Sequence, residues 1–153
     1  MNLWVCLALV AVAQVRAVGQ SSAEEDAILG LWRTADSKAC VEISRCGTKY
    51  CGTIVWLKEP LKDGKPAVDD KNPDETKRAR PVLGLVIVRD FVYDGDNVWT
   101  DGKVYDPESG NDYSGKMTLE DPSTLTLRGY VLIPLFGRSE TWSRWVGTLP
   151  SSP

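Results

Sequence analysis

The 153-residue chain contains no histidine, and this absence excludes more chemistry than any residue that is present suggests. Serine and cysteine nucleophiles that rely on a histidine base are excluded, as are zinc and haem sites held by imidazole. A catalytic site would have to use carboxylates, lysine or tyrosine as acid and base. No pair of them stands out by spacing, so we expect no cofactor, no metal and no enzyme, with a histidine-free carboxylate enzyme as the exception.

The chain also lacks an excess of positive charge and, beyond its opening, long apolar runs. It has 18 basic and 21 acidic side chains, which makes it a poor candidate for nucleic-acid binding. Residues 1–13 are apolar for about a dozen positions, the length of a secretory h-region and too short to span a bilayer. Small residues allow cleavage after Ala17 or Gly19. We therefore expect residues 1–19 to be a signal peptide and the protein to be exported, periplasmic or secreted, without spanning a membrane.

A sustained helical period is missing from the rest of the chain. Short alternating runs separated by turn compositions indicate an all-β protein. Residues 20–28 are expected to be a short disordered segment, 29–147 one domain and 148–153 a disordered tail. We predict a single small closed up-and-down barrel of about eight antiparallel strands, because closure removes exposed sheet edges. The expected strands are Leu29–Thr34, Ala39–Cys46, Tyr50–Leu57, Val82–Phe91, Asn97–Tyr105, Asp112–Leu119, Thr124–Val131 and Arg138–Val146.

Two cysteines flank the second hairpin. Cys46 and Cys51 border a four-residue loop and could lie directly opposite each other, so we expect a disulfide in an oxidising compartment. A thiol redox pair or metal site is the alternative, but the spacing is not Cys-x-x-Cys and no further ligands follow. If these sulfurs face outward, alternation also turns Cys40 outward as a free thiol. It would then form a covalent dimer or mixed disulfide, or lie inert under a neighbouring loop.

Nine segments spread along the mature chain resemble domain of unknown function 2147, a family of exported bacterial proteins. The resemblance covers about Gly30 to Arg144, and the departure that matters is Cys40, which stands where a basic or other polar residue is more usual. The segments are Ser37–Ile43, Arg45–Gly47, Cys51–Leu57, Asp70–Asp74, Arg80–Leu85, Tyr105–Gly110, Arg128–Tyr130, Leu135–Arg138 and Thr141–Trp142.

The resemblance implies a calycin-like or lipocalin-like barrel in the bacterial envelope and brings no established activity with it. Gly30 and Trp32 in the first strand, with Arg144 in the last, match the way such barrels place a cation over an indole at their closed end. We expect these three residues to be structural.

The two longest connections are candidate functional segments. Lys58–Pro81 carries balanced charge, so it offers no phosphate site, and it could cover one mouth of the barrel. Its Asp70-x-Asn72-x-Asp74 pattern lacks the glycine and final glutamate of a calcium loop, and a capped helical turn is the better interpretation. The apolar stretch Tyr130–Gly137 is either an exposed interaction surface or a plug that folds into the barrel end, and the aggregation hazard of exposure favours the plug.

Ligand binding would have to occur in the barrel interior, which an eight-stranded barrel either fills with side chains or leaves open for one small molecule. Gly84, Gly115 and Gly129 would leave room there or mark bends. The inward candidates for ligand contact are Trp32, Ile43, Ile54, Trp56, Leu85, Tyr113, Met117, Leu127 and Trp142.

Two functions follow from these alternatives. The first is a non-catalytic binding module for a small apolar or amphipathic ligand. The second is an envelope module with a filled barrel and no ligand, which contacts a protein partner or a membrane surface through the apolar stretch or Cys40.

Overall fold

The alternating segments form ten strands in the computed structural model, which describes residues 18–151, with side chains from residue 22 onward. A helix, α1 (Val18–Glu25), precedes them, and 3₁₀ turns cover Asp26–Ile28, Glu75–Lys77 and Pro134–Phe136. The strands are β1 (Gly30–Arg33), β2 (Ala39–Cys46), β3 (Lys49–Leu57), β4 (Leu61–Lys62), β5 (Lys65–Pro66), β6 (Val86–Gly95), β7 (Val98–Asp106), β8 (Asn111–Asp121), β9 (Thr124–Tyr130) and β10 (Gly137–Arg144).

Eight of the strands in residues 18–151 close into one antiparallel barrel. Their order is β1-β10-β9-β8-β7-β6-β3-β2, and β1 completes the ring because it pairs with both β10 and β2. The remaining two, β4 and β5, form a small hairpin in the long connection between β3 and β6. The all-β, up-and-down barrel expected from the sequence is thus confirmed. No helix in the described part of the chain has the length and apolar character that a membrane crossing requires.

One part of the barrel interior is filled by a single aromatic ring. Phe91 on β6 is fully buried, and its ring lies over two glycines, Gly102 on β7 and Gly115 on β8. A Cβ atom would come within 2.0 Å of this ring at Gly102 and within 2.4 Å at Gly115. The space that Gly115 opens is therefore occupied by Phe91 and leaves no room for a ligand.

The hairpin of β2 and β3 carries the expected disulfide, with a different register. Cys46 and Cys51 are bonded, and their Cα atoms are 5.9 Å apart. They are not directly opposite each other, because the turn contains only two residues and Cys46 pairs with Lys49, while Cys51 pairs with Ser44. The bridge is thus diagonal and lies on the outer face.

The segment before β1, expected to be disordered over residues 20–28, contains α1 and a 3₁₀ turn and contacts the barrel. Ile28 is fully buried, and its carbonyl accepts a hydrogen bond from Trp32 Nε1 at 2.8 Å. Asp26 Oδ1 accepts from Arg45 Nε at 2.7 Å and from the Tyr50 hydroxyl at 3.2 Å. These contacts give the segment partners that its composition does not reveal. Most of the expected signal peptide, residues 1–17, lies outside the described residues.

Candidate functional site

A cavity of about 650 Å³ opens at one end of the barrel. This volume lies within the roughly 300–1,000 Å³ of typical small-molecule sites. Its walls are inward-facing residues of seven strands and are mostly apolar or aromatic: Ala39, Ile54, Leu57, Ile87, Val104, Tyr105, Tyr113, Leu127, Gly129 and Trp142.

The mouth of this cavity is charged, because loops between strands surround it. The β1–β2 loop contributes Asp36 and Lys38, the end of β7 contributes Asp106, and the β7–β8 loop contributes Glu108. Lys38 Nζ lies 2.8 Å from Glu108 Oε1 and 3.3 Å from Asp36 Oδ2, and the hydrogen bond to Glu108 raises the pKa of Lys38. The two loops are separated by two or more strands in either direction round the barrel, so this ion pair spans the opening.

Strand β10 contributes every second side chain from Arg138 to Trp142 to the inner wall of the cavity. Arg138, Glu140 and Trp142 alternate along the strand and all line the cavity. Trp142 Nε1 donates to Glu140 Oε2 at 3.3 Å. Within residues 22–151, the Arg138 side chain has no hydrogen-bond or ion-pair partner. The cavity therefore combines an apolar interior with an unpaired guanidinium near its mouth.

A buried polar cluster supports the cavity wall from behind. Asp69, in the long connection, is fully buried and accepts from the Tyr105 hydroxyl at 2.5 Å and from Asn72 Nδ2 at 2.8 Å. Arg80 Nη2 lies 2.8 Å from the same carboxylate. Burial, followed by the hydrogen bond to Asp69, raises the pKa of Tyr105. Since Tyr105 lines the cavity, this cluster fixes both the long connection and one side of the pocket.

The opposite end of the barrel is closed by Arg144. Its guanidinium carbon lies 4.1 Å from the centre of the Trp32 indole ring. Its nitrogens donate to the carbonyls of Ala27 at 2.7 Å, Leu29 at 2.8 Å and Pro122 at 2.5 Å. A Cβ atom on Gly30 would lie 3.2 Å from Arg144 Nη1, and the φ angle of Gly30 is +118°. Arg144 thus lies over Trp32 as expected, in a space that the glycine leaves open.

Comparison with known proteins identifies the family. A model of a family described as an uncharacterized protein conserved in bacteria (DUF2147) matches residues 30–144, which run from the first barrel strand to the last. The chain belongs to the DUF2147 family. No curated protein matches it.

The DUF2147 chain is also similar to a solved structure, protein HP1028 from the human pathogen Helicobacter pylori, described as belonging to the lipocalin family. The TM-score is 0.68 at 20% sequence identity, over 78% of this chain and 83% of that chain. At this identity the likeness shows a shared fold, the lipocalin-like barrel.

The nine residues predicted to contact a ligand divide into three groups in the DUF2147 barrel. Ile54, Tyr113, Leu127 and Trp142 line the cavity. The second group is buried in the core without lining the cavity: Trp32, Ile43, Leu85 and Met117. Trp56 alone belongs to neither the core nor the cavity wall.

Trp56 was expected to face inward, and a β-bulge is the reason that it does not. Val41 pairs with Ile54, but Cys40 pairs with Trp56, so one extra residue of β3 lies between them. Alternation is broken there, and Leu57 takes the inward position that Trp56 would have had. The Trp56 ring instead lies 6.2 Å from the ring of Trp145, which follows β10.

Cys40 is free, as expected, and of the two alternatives for it the structure shows the covered one. Its accessible surface is 0%, and it lies between Arg33 and Trp56 in the sheet register. The Arg33 guanidinium lies 4.3 Å from the centre of the Trp145 ring, so Arg33, Trp56 and Trp145 form an outer layer at this point. Burial raises the pKa of the Cys40 thiol. The thiol is therefore buried, as in the alternative of a covered cysteine.

The apolar stretch after β9 does not plug the barrel, in contrast to the favoured expectation. We call residues 131–136 the apolar tip. Leu132 is 90% exposed, Leu135 76% and Phe136 73%. Only Val131 and Phe136 line the cavity, and they do so at its mouth. The cavity stays open because the tip projects past the rim.

Four residues of this site were not predicted from the sequence: Tyr105, Arg138 and Glu140, which line the cavity, and Asp69, which supports it. Alternation from Trp142 back along β10 places Glu140 and Arg138 on the inner face, so this signal was available. No sequence signal marked Asp69, because a buried carboxylate in a charged connection cannot be distinguished by sequence from an exposed one. Among residues 22–151, no group of three or more acidic or cysteine side chains could hold a metal ion.

Proposed function

We propose that this DUF2147 protein binds one small amphipathic ligand, with an apolar chain inside the barrel and a polar head at the mouth. The observation that carries the proposal is the 650 Å³ cavity with an apolar wall and a charged rim. A lipocalin-like fold supports a binding role, because such barrels enclose ligands in their mouths. An apolar chain would gain about 25 cal/mol for each Å² that it removes from water.

Arg138 is the candidate residue for contact with the head group. It lines the cavity near the rim and has no polar partner in the described part of the chain. A carboxylate or phosphate head would give it a bidentate partner. Glu140, one step deeper on the same face, would disfavour a second negative charge further in. These features favour an anionic head at the mouth over a buried one.

Gly129 provides the test of this proposal. A Cβ atom at this position would lie 3.5 Å from Tyr113 Cβ, an ordinary contact, so a side chain is tolerated and extends into the cavity. The Gly129→Leu variant should fold normally and bind a fluorescent fatty acid about tenfold more weakly or worse. Thr126→Leu, on the outer face of the same strand, is the matched control and should bind like the wild type.

Titration should use probes with the same alkyl chain and a carboxylate, alcohol or ammonium head. The proposal requires saturable binding of one probe per chain, tightest for the carboxylate. Equal affinity of Gly129→Leu and the wild type would place the probe outside the cavity, and absence of saturable binding to the wild type would remove the proposal.

We also propose that the protein is exported and non-catalytic. The apolar opening of the chain and the Cys46–Cys51 disulfide support export, since such bonds persist in oxidising compartments. The absence of histidine and the lipocalin-like fold support binding without catalysis. Intact-mass measurement of the protein from the bacterial envelope tests the first point: cleavage after Ala17 or Gly19 is expected, and an uncleaved chain would contradict it.

A further inference from the structure

The apolar tip exposes five large hydrophobic side chains that the barrel does not need for its own packing. Within residues 22–151 they form the main cluster of exposed apolar residues: Val131, Leu132, Ile133, Leu135 and Phe136. Soluble proteins rarely expose a contiguous apolar patch of this kind without a partner.

The tip is held in this exposed position by polar contacts at its base. Arg128 Nε donates to the carbonyl of Pro134 at 2.7 Å, and Arg128 Nη1 donates to Ser139 Oγ at 2.9 Å. Leu132 adopts a φ angle of +69°, a left-handed conformation that a leucine rarely takes. Observed backbone strain at an exposed apolar residue is a reason to look for a function.

Charge near the tip identifies the partner. Residues 128–139 contain Arg128 and Arg138 and not one acidic residue. A convex apolar projection between two arginines matches the surface of an anionic lipid bilayer, where apolar side chains enter the acyl region and arginines meet phosphate groups. With Glu140 included, residues 128–140 carry a net charge of +1, from Arg128 and Arg138 against Glu140. On the opposite loops, Asp36 and Glu108 share a single cation, Lys38.

We propose that the apolar tip docks the protein on an anionic lipid bilayer. Val131 and Phe136 belong both to the tip and to the cavity mouth. Docking would therefore turn the mouth toward the membrane. A further consequence, which rests on the proposed function, is that an amphipathic ligand would pass between the bilayer and the barrel without crossing bulk water.

Partitioning onto vesicles tests the docking directly. The wild-type protein should bind vesicles of equal parts phosphatidylcholine and phosphatidylglycerol more tightly than pure phosphatidylcholine vesicles. The double variant Leu132→Asn/Leu135→Asn should lower the partition coefficient about tenfold or more, because it removes two apolar side chains from the contact. Asparagine suits the left-handed position 132, so the tip should keep its backbone.

Two controls make the outcomes distinct. Val146, at the opposite end of the barrel and 88% exposed, provides the matched control Val146→Asn, which should partition like the wild type. Leu132 and Leu135 do not line the cavity, so the double variant should bind the soluble fatty-acid probe normally even when docking is lost. Docking would be overturned if the wild-type protein bound neither kind of vesicle, or if the double variant had the same partition coefficient as the wild type. Either result would leave the proposed ligand site intact. A protein partner for the tip would then be the explanation.

Discussion

Strand β10 carries an arginine on its inner face near each end, and the barrel uses the two in opposite ways. Arg144 lies over the Trp32 ring and donates to three backbone carbonyls, which closes one end. Arg138, six residues earlier, lines the open cavity and has no partner among residues 22–151. The same residue type on the same face therefore serves as a structural element at one end and as a free binding group at the other.

The difference shows why one end is suited to stability and the other to a ligand. At the closed end, the donors of the guanidinium are satisfied by carbonyls that would otherwise lack partners. At the open end, the Arg138 guanidinium makes no hydrogen bond or ion pair with residues 22–151 and is available to a ligand. Substitutions at one end of the barrel at a time should separate the effects on unfolding from the effects on binding.

The largest effect is expected at the closed end. Arg144→Ala removes the contact with Trp32 and leaves the carbonyls of Ala27, Leu29 and Pro122 without donors. We expect the free energy of unfolding to fall by about 3 kcal/mol. Denaturant unfolding measures this loss. The Arg144→Lys variant keeps the charge but not the planar guanidinium, so it should recover only part of the lost free energy of unfolding. An unchanged midpoint would show that this end is held by other contacts.

The next effect concerns the support of the open end. Asp69→Ala leaves the Tyr105 hydroxyl, the Asn72 amide and the Arg80 guanidinium without their common acceptor. We expect a loss of about 2 to 3 kcal/mol, because a buried network loses its centre. The Asp69→Asn variant should lose less free energy of unfolding than Asp69→Ala. Since Tyr105 lines the cavity, probe affinity should fall with stability in the alanine variant, and a stable variant with normal affinity would contradict the role of the cluster.

A pH effect is expected beside the closed end. Burial raises the pKa of Tyr50 from 10.0 to about 12, and its hydrogen bond to Asp26 adds to this, although Arg45 acts in the opposite direction. The unfolded chain loses this proton near pH 10 and the folded chain retains it until about pH 12. The free energy of unfolding should therefore be undiminished below pH 10 and fall by about 2 kcal/mol as the pH rises to about 12.

The Tyr50→Phe variant provides the control for that titration. It removes the phenol but keeps the ring against Trp99, whose centroid lies 6.2 Å away. Denaturation at a series of alkaline pH values should show a shallower decline than in the wild type. Identical declines in both proteins would assign the alkaline loss to other groups, such as Tyr105, whose pKa is also raised by burial.

The smallest effect on stability is expected for Arg138→Gln. Because this side chain has no partner in the described residues, unfolding should change by less than about 0.5 kcal/mol. Binding should change instead: the preference for the carboxylate probe over the alcohol probe should disappear. A large loss of stability would mean that the two arginines do not differ in the way described here.

Much of the fold could be predicted because alternation and turn composition are local signals. The eight barrel strands, the Cys46–Cys51 bond and the contact of Arg144 with Trp32 followed from such patterns and from the family resemblance. A bulge is not a local signal. The extra residue between Ile54 and Trp56 reverses the faces that strict alternation assigns to the end of β3.

The polarity of the connections did not indicate which of their residues are buried. The charged connection contains a fully buried carboxylate, Asp69, whereas the apolar tip projects into solvent. The contact that buries Asp69 comes from a residue distant in sequence, Tyr105. The tip is held instead by a side-chain contact with its own backbone, from Arg128 to the carbonyl of Pro134 six residues later. Composition alone does not contain that information.

Quenching of tryptophan fluorescence by a brominated fatty acid tests the central claim, a barrel sealed at one end and open to an amphiphile at the other. Bromine on a chain bound in the cavity would lie beside Trp142 and far from Trp32. We expect saturable quenching at one equivalent, largely abolished in Trp142→Phe and unchanged in the outer-face control Trp145→Phe. Quenching that survives in Trp142→Phe, or that never saturates, would contradict the account.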